Sequence, residues 1–281
     1  MQYARRLSFE LFPPKTGTGA ARLAETRAAL GALEPAFFSV TYGAGGSTRD
    51  NTRATVMACR REGRAVAPHL SFGTDGESSV LALLDEYRAA GVTRIVALRG
   101  DMPSGMGMVR LAYASELVAF IRRQTGDHFH LEVAAYPEIH PEARSYHADL
   151  DFLKQKLDAG ANSAITQYFF NADAFERFME ACQGAGIAAP IYPGIMPITN
   201  YQNLARFSAK CGADIPRWLA RRLESFADDE AGLVEFGIDV VSRLCERLLA
   251  NGAPGLHFYT MNQTQPTLAI CENVGMGRGR G

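Results

Sequence analysis

Eight short runs of β-branched and aromatic residues, each separated from the next by a longer segment of helical period, constrain this chain more than any other feature. The runs cover residues 7–12, 37–42, 65–72, 94–99, 130–136, 163–169, 190–196 and 255–261. Between them, apolar residues recur three to four positions apart with charges in between, as in Val80, Leu84 and Tyr87 or Leu117 and Ile121, the pattern of a helix that buries one face. The longest connection lies between the last two runs and carries helical patterns near 202–210, 218–223 and 230–250. Strands alternating with helices define an α/β chain with parallel strands, and eight such units in 281 residues match a single closed (β/α)8 barrel, a TIM barrel. A doubly wound open sheet is the runner-up. It would carry G-x-G-x-x-G after its first strand, and no such motif follows residues 7–12. With no linker or shift in composition, residues 1–275 read as one catalytic barrel and the glycine-rich 276–281 as a disordered tail.

Composition narrows the function classes. Hydrophobic residues at 47% and charged residues at 21% are ordinary for a water-soluble globular chain. No stretch approaches the roughly 18 apolar residues of a membrane span, and no apolar signal region follows the start, so a cytoplasmic protein without membrane association is expected. A net charge of −1 excludes the strongly basic footprint of a nucleic-acid binder while permitting a local cationic pocket. Cys59, Cys182, Cys211, Cys245 and Cys271 are widely spaced and form no C-x-x-C pair, so free thiols are expected rather than disulfides or zinc. No H-x-x-x-H or clustered carboxylates suggest any other metal.

In such a barrel the chemistry sits at the C-terminal ends of the strands. The first run presents Glu10 among Phe9, Leu11 and Phe12; desolvation there would raise its pKa into the range of a general acid, unless it is exposed or paired with an arginine. The second ends in Thr41-Tyr42 and the small-residue loop 43–47, which would let a ligand approach the backbone or simply make a tight turn. His69 on the third is either a core histidine or a ligand contact. Arg99-Gly100-Asp101 ends the fourth, as an ion pair or a polar site, before a loop 102–108 that could act as a lid. The fifth and sixth contribute Tyr136-Pro137-Glu138 and Gln167, the latter able both to donate and to accept.

Taken together, Ser8-Phe9-Glu10, Val40-Thr41-Tyr42-Gly43-Ala44, Ala67-Pro68-His69-Leu70, Ala97-Leu98-Arg99-Gly100-Asp101, Ala134-Ala135-Tyr136-Pro137-Glu138 and Ile165-Thr166-Gln167-Tyr168 form a recognisable set. The chain resembles the bacterial type of the methylenetetrahydrofolate reductase family, in the same motif order from about residue 7 to 275. The resemblance implies an FAD-dependent oxidoreductase of one-carbon metabolism and methionine biosynthesis. It would interconvert 5,10-methylenetetrahydrofolate and 5-methyltetrahydrofolate by a ping-pong route, with NAD(P)H as donor and NADH preferred, as a homo-oligomer. By resemblance, Glu10 would be the general acid that opens the folate's five-membered ring, and Asp101 would lie by flavin and pterin in a catalytic and folate-binding role. Gln167 would meet pterin and nicotinamide in turn, and Thr41 the nicotinamide. FAD binding would fall to Tyr42, Ala44, His69, Arg99, Gly100, Asp101, Ala114, Tyr136, His140, Ala143, Asp149 and Lys156, with the cations near the pyrophosphate.

Four positions depart from relatives. Tyr201 stands where a phenylalanine is usual, which keeps a ring for folate or nicotinamide and adds a hydroxyl. Gln263 stands where some relatives have arginine, removing a cation for the folate's glutamate tail, and Phe152 and Gln155 replace polar or basic residues near the flavin's adenylate end. A folate-binding barrel that transfers methyl groups without redox chemistry is the alternative function, and a non-catalytic flavin- or folate-binding subunit is a third.

Overall fold

The computed structural model describes residues 5–42, 49–72, 76–99 and 113–276. Its strands are β1 (Arg6–Leu11), β2 (Phe37–Val40), β3 (Val66–Leu70), β4 (Arg94–Ala97), β5 (His130–Ala135), β6 (Ser163–Tyr168), β7 (Ile191–Ile195) and β8 (Gly255–Tyr259). All pair in parallel and in chain order, and β8 returns to β1 to close the barrel. The covering helices are α1 (Gly17–Gly31), α2 (Arg49–Arg61), α3 (Glu77–Ala89), α4 (Ala114–Thr125), α5 (Tyr146–Asp158) and α6 (Ala172–Gly184). They continue with α7 (Tyr201–Cys211), α8 (Arg217–Glu224), α9 (Glu230–Ala250) and α10 (Thr264–Asn273). The sequence runs overshoot most strands by one or two residues at their C-terminal ends, because residues such as Phe12 and Tyr136 leave the ladder to begin the loops of the barrel mouth.

Strand alternation builds two cores. Outward side chains such as Phe9, Phe38, Ile95, Leu131 and Phe258 pack against helix stripes that include Val80, Leu84, Tyr87, Leu117 and Ile121. Inward side chains form a smaller lumenal cluster of Phe37, Ala67, Val96 and Ile165. Serines and a histidine fill the same lumen: Ser8 Oγ lies 2.8 Å from His257 Nδ1 and Ser39 Oγ 3.4 Å from its Nε2.

At the N-terminal end of the lumen, Glu132 is fully buried between Arg6, 2.8 Å away, and Arg94, and it accepts a 2.6 Å hydrogen bond from Ser163 Oγ. Burial alone would raise its pKa, but His130, Arg6, Arg94 and Ser163 together hold it well below the usual carboxylate range. The Arg6 guanidinium also lies over the Tyr192 ring, 3.1 Å from its centroid. This end of the barrel is a packed plug, which leaves the opposite mouth for ligands. The five cysteines are free, four of them buried. Among the described residues no helix is long and apolar enough to cross a membrane.

Candidate active site at the barrel mouth

Glu10 points into the upper lumen, level with Ser39 of β2 and Tyr259 of β8. It is 6% exposed, and burial pushes its carboxyl up to about 8. His69 Nε2, from β3, lies 3.4 Å from Glu10 Oε2, and burial pushes that imidazole down to about 4. The distance fits an ion pair, but desolvation governs both groups and favours their neutral forms. Near pH 7 the pair is therefore a protonated carboxyl facing a neutral ring. Tyr259 closes the other side: its hydroxyl donates to Thr166 O at 2.7 Å, and its ring occupies the space that a side chain at Gly194 would need. Thr41 Oγ1, two residues beyond Ser39 along the chain, is buried and has no hydrogen-bond partner among the described residues. An uncompensated hydroxyl of this kind is costly unless a ligand completes it.

Beside this carboxyl opens a cavity of about 740 Å³. Tyr42, His69, Arg99, Ala114, Tyr136, His140, Ala143, Asp149 and Lys156 all line it, so the nine described residues that the sequence assigned to FAD share one surface. Local structure explains how. Ser145 caps α5 by accepting from Ala148 N at 3.2 Å, and the helix then presents Asp149, Phe152 and Lys156 at i, i+3 and i+7 on one face. The first turn of α4 brings Ala114 and Ser115 to the same wall, where the initial backbone N–H groups of a helix favour an anion. Pro137 and Pro141 bracket the loop after β5, and Glu138 ties it down by accepting from Asp214 N at 2.8 Å.

The cavity wall is cationic where the strands end. Lys156 Nζ donates to Ala134 O, and burial pushes the amine down to about 8 against the opposing charge of Asp149. Asp149 accepts from His140 N at 2.8 Å, and burial pushes its carboxyl up. His140 Nδ1 accepts from Glu142 N at 3.0 Å, so the ring proton belongs on Nε2. Arg99 meets the exposed Glu142 at 2.6 Å. At the outer rim Tyr113 and Phe152 lie nearly parallel, 15° apart with centroids 6.2 Å apart, and are 57% and 43% exposed.

Ala44, Gly100 and Asp101, with the loops 43–47 and 102–108, lie outside the described residues. Thr41, Gln167, Tyr201 and Gln263 do not line the cavity. Gln167 Oε1 accepts from Tyr168 N at 3.0 Å, and the Tyr201 hydroxyl donates to Glu224 Oε1 of α8 at 3.1 Å, which uses the group that a phenylalanine would lack. Gln263 occupies the cap position of α10 without capping it through its side chain. Of the two departures that the resemblance sets near an adenylate, Phe152 lines the cavity and Gln155 does not. Sequence reasoning missed Tyr113, Glu142 and Tyr259. Tyr259 was open to discovery as the inward residue two after His257 on β8, whereas Tyr113 gave no signal beyond preceding Ala114.

The fold and this mouth define a (β/α)8 barrel that offers a cation-lined cavity beside a buried carboxyl. The family model for methylenetetrahydrofolate reductase matches residues 2–275. The chain is 39% identical over 274 residues to the 5,10-methylenetetrahydrofolate reductase of Escherichia coli, covering 97% of this chain and 92% of that one. It is 37% identical over 286 residues to methylenetetrahydrofolate reductase (NADH) 1 of Arabidopsis thaliana, covering 96% of this chain and 48% of that one. A Clostridium thermocellum protein solved with two copies of 5-methyl-5,6,7,8-tetrahydrofolic acid shares the fold at a TM-score of 0.67 and 17% identity, covering 97% of this chain and 94% of that one. The chain belongs to the methylenetetrahydrofolate reductase family.

Proposed function

We propose that the protein is an FAD-dependent reductase acting on 5,10-methylenetetrahydrofolate, with NADH as its preferred electron donor. The observation that carries this reading is the convergence at His69. That one side chain lines the cavity with the other FAD-assigned residues and touches the buried Glu10.

The cavity fits the cofactor. Its volume of about 740 Å³ falls within the usual range of about 300–1,000 Å³ for ligand sites. Arg99, Lys156 and the start of α4 are donors suited to a pyrophosphate, and the exposed Tyr113 and Phe152 faces suit a purine. When bound, FAD supplies the two-electron carrier that lets donor and folate use the site in turn.

The remaining work falls to side chains. Glu10 holds a proton at a carboxyl oxygen near neutral pH and delivers it to a nitrogen of the folate's five-membered ring, opening it to the iminium that accepts a hydride. Neutral His69 keeps a second charge away from that carboxyl, and the Tyr259 ring excludes water from its far side. The Thr41 hydroxyl, unpartnered among the described residues, is suited to the carboxamide of a nicotinamide, and Asp101 and Gln167 to the pterin. Tyr201 supplies a ring over the entering substrate, fixed by Glu224.

Incubation with FAD is expected to yield a yellow protein whose flavin absorbance is bleached anaerobically by NADH, more slowly by NADPH, and restored by 5,10-methylenetetrahydrofolate. Protein that retains no flavin after incubation overturns the reading.

A further inference from the structure

The end of β1 that carries Glu10 is held by side chains where the sheet itself gives out. On one flank, pairing with β2 continues to Leu11, and Thr41 N still donates to Leu11 O at 3.1 Å. On the other flank the ladder with β8 stops at Glu10 and Tyr259. Beyond that point the Glu10 carbonyl and both backbone groups of Phe12 would be left without partners, at a cost that buried backbone rarely bears.

Two residues of the turn after β8 take over. Thr260 Oγ1 donates to Glu10 O at 2.6 Å. The Asn262 carboxamide bridges Phe12 from both sides, accepting from its N at 2.9 Å and donating to its O at 2.9 Å. The turn must bend sharply to do this. Met261 and Asn262 both adopt positive φ, 50° and 57°, a left-handed conformation that asparagine tolerates and methionine rarely adopts. It is pinned from within by Asn262 N donating to Thr260 Oγ1 at 3.1 Å and Gln263 N donating to Thr260 O at 2.7 Å. Thr26 of α1 lies beneath it, 3.2 Å from Thr264 Oγ1. A left-handed Met261 held in place by so many bonds is consistent with a turn whose geometry matters.

We infer that Thr260 and Asn262 are positioning residues for Glu10, and that the turn after β8 holds the carboxyl in its dry place against His69. The inference rests on Glu10 being the proton donor. Neither residue lines the cavity assigned to FAD, and both contact the β1 backbone, through which their effect passes. Among the described residues the titratable groups facing Glu10 are His69 from β3 and Tyr259 from β8, and the test substitutes neither.

The test uses Asn262→Gly and Thr260→Val in the FAD-loaded full-length protein. Glycine accepts the positive φ and removes only the bridge; valine keeps the shape of threonine and removes only the hydroxyl. Infrared titration follows the protonated-carboxyl band assigned to Glu10 by its absence in Glu10→Gln. Both variants are expected to lower the proton affinity of Glu10 about tenfold, as water reaches a loosened strand end. They are also expected to slow the folate half-reaction roughly 10- to 100-fold, with flavin reduction by NADH within about twofold of the parent. An unchanged Glu10 titration in either folded variant overturns the inference, as does an equal loss in both half-reactions. If one variant fails to fold, the other decides. If Glu10→Gln itself retains folate turnover, the proton-donor role fails, while the titration still reports whether the turn positions the carboxyl.

Discussion

Glu10→Gln should make the protein more stable in alkali, by an amount set by burial. A carboxyl with an ordinary value of 4.5 that is pushed up to about 8 in the folded chain binds its proton more tightly folded than unfolded. Its contribution to stability is therefore complete below pH 4.5 and is lost progressively as the pH rises through 8. The gap between those values, at roughly 1.36 kcal/mol per pH unit, amounts to about 5 kcal/mol. Glutamine keeps the size and the hydrogen-bonding capacity without the titration. Urea unfolding of both proteins at a fixed excess of FAD, from pH 5 to pH 9, should show glutamine gaining on glutamate by several kcal/mol across the series. His69 works in the opposite direction, since an imidazole pushed down to about 4 loses stability as pH falls below 6.5. It is common to both proteins, so its contribution largely cancels in the difference. Parallel curves, with a gap independent of pH, would refute the claim that Glu10 is held protonated by burial.

At the other end of the lumen, Glu132→Gln leaves Arg6 and Arg94 buried without their counter-charge. A loss of about 3–5 kcal/mol in urea unfolding is expected, with turnover per folded molecule retained. Phe152→Ala removes one face of the rim pair with Tyr113. Flavin-fluorescence titration should show FAD affinity falling about tenfold, within the roughly 1–3 kcal/mol that stacking on an aromatic ring contributes per base. Gln263→Arg restores a cation beside the mouth; KM for folates bearing several glutamates should fall several-fold, while KM for the monoglutamate stays unchanged.

The barrel was legible because its two faces obey different rules. Phe9, Phe38 and Phe258 face the helices and read as strand, while Ser8, Ser39 and His257 alternate with them and face the lumen. Strand ends were less legible, since Phe12 and Tyr136 are as strand-like in composition as the residues before them. The raised pKa of Glu10 followed from its apolar neighbours in sequence. Its contact with His69 did not, because it depends on the register of three strands rather than on local composition. The same holds for the Asn262 bridge to Phe12, 250 positions away, and for the ion network around Glu132. Tyr113 escaped notice because nothing local distinguishes a rim aromatic from a core one before the helix beneath it is oriented.

On the proposed mechanism Glu10 serves the folate half-reaction and not the nicotinamide one, and stopped-flow measurement of the two half-reactions in Glu10→Gln separates them. Flavin reduction by NADH should stay within about twofold of the parent, while reoxidation by 5,10-methylenetetrahydrofolate should slow by about 10²–10⁴-fold. Equal loss in both half-reactions, or full retention of the second, would contradict it.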